Sequence, residues 1–505
     1  MYLTFDVGTT SVKTVLFDRE GRVLRKVIRN YSLDTPAVGW YEADPEIYWK
    51  AVVEGLREIL RGPGVDPSSV RTVSGCSQGE TVIFLDAEDR PVRPAIVWLD
   101  SRARREVAEM AAFISAEELY TVTGLSEIDP TWSAVKVLWV KNNQPEVFRK
   151  TAKFLLVEDY ITYRLTGRFA STPNLLSSTM FVDVHTGLYW PKSVEYVGVG
   201  GRLPEIVQSG SSVGTLTDAV AAALGLPKKT MVVKGAMDQA VSAVGAGNFT
   251  PGIITETTGS VMAIGVTTLR VDPKPRVLLP YQPHVVEGSY LILPYVQTAG
   301  SAYKWFRDGF CQEEIRAAGG LEQAYDSMNA LAAAVPAASE GLVFLPYLAG
   351  AGQPENDPDA KGVFYGITLK HGKGHFARAI QESIGYMLRK ILANIAASGV
   401  PVEEIRSMGG GARSDLWLQI KADIIGRPII RMEEEETSTL GAALLAAVRC
   451  GDYPDVAVAA RAMVRLGRRF EPDAGNAAAY ERGYELYSGL YDALAPVFHR
   501  FAHER

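Results

Sequence analysis

Short apolar runs and amphipathic helical stripes alternate along this chain. Tyr2-Leu3-Thr4-Phe5 reads as a strand, followed by the turn Asp6-Val7-Gly8-Thr9-Thr10-Ser11. Beyond it Val12, Thr14 and Leu16 alternate with Lys13 and Val15, giving strand, tight turn, strand. Asp44 before Pro45 predicts an N-cap with proline in the first turn of a helix. Short strands are expected over residues 70–75, 82–85 and 95–97, the last leading to a helix that Asp100 is placed to cap. Helical patterns cover 117–123 and 133–142. A buried strand, Met231-Val232-Val233-Lys234-Gly235, runs into Ala236-Met237-Asp238-Gln239 at the head of a small-residue helix. A second hairpin follows Pro251-Gly252, with Thr255-Glu256-Thr257-Thr258-Gly259-Ser260 at its turn. Phe376, Ile380, Ile384, Met387, Leu388, Ile391 and Ile395 mark one stripe of a long helix, read as core. Thr437-Ser438-Thr439-Leu440-Gly441 opens another helix, and a helical tail follows Glu471. The alternation indicates an α/β architecture.

The two hairpins change that picture. Asp6 and Glu256 lie 250 positions apart, near half of the 505 residues. Matching turns at equivalent points of two halves suggest a duplicated architecture, divided here as 1–247 and 248–505, with phosphates gripped between the halves. Each turn alone is equally an ordinary hairpin whose hydroxyls satisfy its own backbone.

Composition narrows the partners. A hydrophobic share of 47% and a charged share of 22% suit a globular chain, and a net charge of −6 offers no basic face to nucleic acid. Arg102, Arg104 and Arg105, followed by Glu106 and Glu109, read as a solvated helix face. Three cysteines, far apart and odd in number, form neither a disulfide framework nor a metal motif. His371 and His375 share a four-residue spacing, but flanking glycines and the lack of a third ligand favour a loop over a zinc site. The chain starts directly on a strand and holds no apolar run of membrane-spanning length, so a reduced, cytoplasmic protein without a membrane partner is expected.

Three stretches carry candidate chemistry. Gly8, Thr9, Thr10 and Ser11 can surround phosphate oxygens with hydroxyls and turn N–H groups, Lys13 can offset their charge, and Asp6 can hold a magnesium ion directly or through water. Asp238 sits at the C-terminal end of a strand, where open α/β sheets place ligands, although such an aspartate also serves as an N-cap. Gly409-Gly410-Gly411 lets a flat base or a phosphate lie on backbone, as do glycines in plain loops.

The order of these motifs resembles the FGGY family of carbohydrate kinases. The likeness rests on Asp-x-Gly-Thr-Thr-Ser at Asp6, Gly39-Trp-x-Glu-x-Asp-Pro-Glu46, Trp98-x-Asp100-x-Arg102 and Lys136-Val137-x-Trp139-Val140. It extends through the Gly-Ala-Met-Asp-Gln block, Gly362-x-Phe364-x-Gly366-Ile367 and Gly409-Gly410-Gly411-Ala412. The resemblance implies the duplicated fold of actin, hexokinase and Hsp70 (ribonuclease H-like), two domains around a cleft, with ATP and magnesium as cofactors. It implies that Asp238 is the general base for a sugar hydroxyl attacking the γ-phosphate of ATP. It further implies phosphate or nucleotide contacts at Thr9, Thr10, Ser11, Lys13, Gly259, Ser260, Gly300, Lys304, Gly410, Gly411 and Asp415.

Gln78, Glu80, Asp100, Asp238 and Gln239 are the expected hydroxyl contacts, because a polyol needs several convergent polar groups. Glycerol kinases carry arginine where this chain has Gly79 and a glycerol-contacting tyrosine where it has Thr131, which leaves a roomier pocket. Xylulose kinases read Gln-Met-His-Gly near Ser77-Gln78-Gly79-Glu80, a pair this chain lacks, yet Phe344-Leu345-Pro346-Tyr347 and Asn356-Asp357-Pro358 look xylulose-kinase-like. A pentulose, with D-xylulose first, is therefore the expected small-molecule substrate; glycerol, gluconate and other polyols or sugar acids are the alternatives. A non-catalytic, ATP-binding actin-like switch is the reading from another class, and a homodimer stays open.

Overall fold

The computed structural model describes residues 1–272, 275 and 277–502. The first apolar run becomes β1 (Tyr2–Val7), buried along its whole length, which fits a central strand covered on both faces. It pairs antiparallel with β2 (Ser11–Phe17), which pairs with β3 (Val23–Asn30). β3 alternates half-buried or buried positions with exposed ones, and the charged Arg25 and Arg29 mark it as an edge. On the other side β4 (Thr72–Ser77) runs parallel to β1, then come β6 (Met231–Val233), parallel to β4, and β5 (Ser212–Thr215). The order is β5-β6-β4-β1-β2-β3.

The second half repeats this plan. β7 (Gly252–Thr258) and β8 (Met262–Thr268) form the second hairpin; β9 (Tyr281–Pro283), β10 (Tyr290–Ile292) and β11 (Tyr295–Val296) extend it on one side. β12 (Val402–Met408) and β13 (Ile429–Met432) continue it in parallel, and β14 (Leu466–Phe470) closes the other edge. The order β9-β10-β8-β7-β12-β13-β14, with β11 on β8, places β7 where β1 stands in the first sheet. Asp6 lies beside Cys76 on β4 and Glu256 beside Ser407 on β12, so the two acidic residues hold corresponding ladder positions.

Helices cover both sheets. α1 (Pro45–Leu60) starts where Asp44 accepts from Glu46 N at 3.0 Å. It is followed by α2 (Ser133–Asn143), α3 (Val157–Thr166) and α4 (Asp238–Gly245) in the first half. The second half supplies α5 (Gly300–Phe310), α6 (Lys373–Ala397), α7 (Asp415–Ile425), α8 (Thr437–Arg449) and α9 (Ala477–Phe501). The stripe foreseen on α6 is core apart from the half-buried Phe376, and α9 packs Tyr480, Tyr487, Leu490 and Phe498 against the same core.

α4 and α8 join the halves. A Cβ on Gly245 would lie 1.9 Å from Thr437 O, and one on Gly441 2.0 Å from Val241 O, so the two helices cross backbone to backbone. Around that crossing Tyr2, Phe17 and Val241 of one half meet Leu440 and Leu444 of the other in one core.

Two expectations fail here. The helix after residue 97 begins at Arg104 with Ala103 before it, so Asp100 does not cap it. Arg102 is not on a solvated face: its side chain is fully buried, with its guanidinium 3.9 Å from the ring centre of Trp40 and 5.0 Å from that of Trp139.

Candidate active site

Three parallel strand ends build one rim. β1 ends at Val7, β4 at Ser77, and an isolated parallel bridge joins Ser77 to Met237 beyond the end of β6. Asp6, Gln78 and Asp238 therefore emerge side by side. Asp238 is the first residue of α4, and its Oδ1 accepts from Gln239 N at 2.6 Å. Burial first, then the neighbouring charge of Asp6, pushes its carboxyl up to about 8, with Glu80 adding to the rise and Lys13 opposing it. Such a carboxyl is a stronger proton acceptor than an ordinary aspartate.

Asp6 lies within the same wall. Its Oδ2 accepts from Ser438 Oγ at 2.7 Å, across the two halves. Its Oδ1 is buried without a partner, and burial holds its carboxyl above the usual range. An orphaned, buried carboxylate oxygen fits a divalent cation or a water bound to one. Among the described residues no group of three or more histidine, cysteine or acidic side chains stands ready to hold a metal alone. The remaining ligands would come from nucleotide and water, as is usual for magnesium.

The first turn is braced from outside. Gly8 N donates to Ser11 O at 2.9 Å, Tyr31 OH donates to Gly8 O, and Trp98 Nε1 donates to Thr9 Oγ1 at 2.9 Å. Thr10 and Ser11 complete the turn. Lys13 Nζ lies 3.0 Å from Glu436, which also holds Lys26 at 3.0 Å. Glu436 and Ser438, at the head of α8, are cleft residues that the sequence reading missed; both sit in a run that reads only as the start of a packed helix.

Glu80 takes a left-handed backbone conformation, with φ 55°, which is unusual outside glycine. Ser133 Oγ and Lys136 Nζ donate to Glu80 O at 3.1 and 3.3 Å and hold that turn. Ser178 Oγ donates to its carboxylate, and burial raises its pKa. Lys136 also donates to Trp98 O at 3.3 Å; burial lowers its ammonium to about 7. It thereby links the Glu80 turn to the tryptophan that braces Thr9. The family motif contained Lys136, but nothing in the sequence showed where it points. Gln78 is buried, and its Oε1 has no partner.

Asp100 departs from its expected place among the hydroxyl contacts. It is fully buried, and its oxygens accept from Tyr41 N (2.7 Å), Arg102 N (3.0 Å), Arg102 Nε (2.9 Å) and Arg102 Nη2 (2.7 Å). Its carboxylate shapes the loop rather than facing the cleft.

The second turn opens a cavity of about 360 Å³. Gly259, Ser260, Gly300, Lys304, Gly410 and Gly411 all line it. Gly300 and Gly411 are required by close approach: a Cβ on Gly300 would sit 2.2 Å from Gly259 O, and one on Gly411 2.7 Å from the Thr258 Cβ. Tyr303, Tyr325 and Trp417 give it an aromatic wall that the sequence reading did not single out. Asp415 is absent from that lining. Its carboxylate pairs with Arg431 and Arg468.

The paired acids have diverged. Glu256 is fully buried and taken up by Lys421 (2.9 Å), Thr258 and Ser407. Lys421 reaches Thr258 Oγ1 at 2.9 Å as well, so this acid braces the second turn, whereas Asp6 keeps an oxygen free.

Comparison with known proteins agrees with this layout. Residues 1–245 match the FGGY family of carbohydrate kinases, N-terminal domain, and residues 253–450 its C-terminal domain. A xylulose kinase of Bacillus subtilis is 30% identical over 491 residues, covering 96% of this chain and 95% of that protein. A gluconokinase of Bacillus licheniformis is 30% identical over 509 residues, covering 99% and 97%. The crystal structure of xylulose kinase from Rhodospirillum rubrum superposes with a TM-score of 0.90 at 30% identity, covering 98% of this chain and 99% of that one. No helix among the described residues is long and apolar enough to cross a membrane.

Proposed function

The chain belongs to the FGGY family of carbohydrate kinases, and on that premise we propose that it transfers the γ-phosphate of ATP to a hydroxyl of a pentulose, D-xylulose first. Asp238 accepts the proton as the sugar oxygen forms its bond to phosphorus and the bond to the leaving ADP oxygen breaks. The observation that carries this reading is the raised carboxyl of Asp238 between Asp6 and Glu80 at a shared strand-end rim.

Each residue then has a task. Thr9, Thr10, Ser11 and Lys13 receive the phosphates from one side, and Gly259 and Ser260 from the other. Gly300, Lys304, Gly410 and Gly411 seat the nucleotide in the cavity they line. Gln78, Glu80 and Gln239 take the sugar hydroxyls. Asp6, with its free oxygen, holds magnesium directly or through water, and that ion supplies neutralisation of the phosphate charge. Closure of the two halves excludes water from the reacting phosphate.

The likeness to xylulose kinases supports a pentulose; the likeness to a gluconokinase supports gluconate as the second reading. The test is ADP release with ATP, magnesium and a panel of ketoses, polyols and sugar acids. D-xylulose is expected to give the highest kcat/KM. ATP turnover that no panel member stimulates would favour an ATP-driven switch instead.

A further inference from the structure

The stretch that delivers Asp238 is held by side chains as well as by the sheet. β6 ends at Val233 and α4 begins at Asp238, and two N–H groups between them find side-chain acceptors. Gly235 N donates to Glu158 Oε1 at 3.3 Å, and Glu158 is paired with the buried Lys234. Met237 N, immediately before Asp238, donates to Asn174 Oδ1 at 3.0 Å.

Asn174 is buried in the short helical turn Pro173–Leu176, which Thr172 caps. Its other end crosses to the second half: Nδ2 donates to Pro283 O at 2.8 Å, on β9, the edge strand of the second sheet. The partners dictate the amide's orientation, because Met237 N can only donate and Pro283 O only accept. Neither an ionised carboxylate nor an apolar side chain serves both. Next to it Ser177 Oγ donates to Gln282 Oε1 at 2.8 Å, again across the halves, and Ser178 Oγ donates to the Glu80 carboxylate. Residues 174–178 thus join the edge strand of one half to the Asp238 backbone and the Glu80 carboxylate of the other.

We propose that Asn174 is a positioning residue for Asp238, tying the backbone that carries the carboxylate to β9 so that it is aligned for proton abstraction only while the halves are docked there. Asn174 acts through the main chain of Met237. The proposal rests on the reading of Asp238 as the base. A reacting group misplaced by about 1 Å loses about 10²-fold in rate, so one buried bond at this point bears on turnover. Gln282 spans the same seam with no bond to Met237, which separates positioning from mere cohesion of the halves.

Steady-state rates with D-xylulose and magnesium–ATP, with ATP affinity from calorimetry and melting temperatures, test it on the full chain. Asn174→Leu is expected to lower kcat about 10–100-fold, while KM for D-xylulose and ATP affinity stay within about threefold. Gln282→Leu is expected to lower the melting temperature as well but to keep kcat within about twofold. Should Asn174→Leu not fold, Asn174→Ala carries the same comparison. A raised KM at unchanged kcat, or an equal kcat loss in Gln282→Leu, would overturn the proposal. Asp238→Asn would still abolish transfer in that case, leaving the base intact. Normal transfer by Asp238→Asn would overturn the assignment of the base and this proposal with it.

Discussion

Asp238 holds its charge at a cost until a cation shares the cleft, because Asp6 and Glu80 stand beside it. An unfolded aspartate titrates near 4, and the folded one is pushed up to about 8. The folded chain therefore binds more protons between those values, and this group's contribution to stability falls as pH rises through that window. Asp238→Asn is expected to melt a few degrees higher than the unaltered protein at pH 8, with the gap closing toward pH 4. The same variant keeps ATP affinity while transfer drops by about 10²–10⁴-fold; calorimetry and coupled ADP release read the two effects. Gly79 tests the shape of the sugar pocket. A Cβ there would lie 3.2 Å from Met237 Sδ, at the flexible end of a side chain that can yield. Gly79→Arg is expected to shift preference toward small polyols such as glycerol; unchanged relative kcat/KM across the panel would refute the pocket argument. At this scale the sequence was legible where chemistry and backbone coincide: Asp238 at a strand end, Gly410 and Gly411 on the wall of a cavity. It misled for Asp100, whose carboxylate is taken up by Arg102 two residues on, and for Asp415, whose partners Arg431 and Arg468 are brought to it only by folding.

Elements were easier to read than contacts between them. Both hairpins, the Asp44-capped helix and the α6 stripe follow from local pattern, which a single stretch of chain contains. The divergence of the two hairpins does not, because Lys421 reaches Glu256 from 165 residues away. That buried pair makes a sharp prediction. Lys421→Met leaves Glu256 without its counter-charge beneath the second turn and is expected to destabilise the protein by about 3–5 kcal/mol. Replacing Glu256 by Gln in the same chain is expected to recover part of that loss. Chemical denaturation of the single and double variants measures both. Lys136, by contrast, braces the first half's loops through backbone carbonyls. Lys136→Met is expected to raise KM for the sugar about tenfold or more while ATP affinity stays within about twofold, since it frees Glu80 to leave its left-handed turn.

Across the whole molecule, the likeness of the two sheets was foreshadowed by the 250-residue echo, but the junction between them was not. Lys13, Lys26 and Asp6 meet Glu436 and Ser438 over more than 400 positions of sequence. The α4–α8 crossing also joins segments far apart in sequence, and its glycines sit within runs of alanine and serine that read simply as small. Gly441→Ala places a methyl group 2.0 Å from Val241 O; the expected cost is about 1–3 kcal/mol in denaturant melts, with transfer impaired more than nucleotide binding. Where main chain touches main chain there are no rotamers to exchange, so a roll of one helix on the other would be resisted by the surrounding side chains of Tyr2, Phe17, Leu440 and Leu444 rather than by the contact itself. A slight turn there would be carried along both sheets to the hairpin turns that end at Ser11 and Ser260.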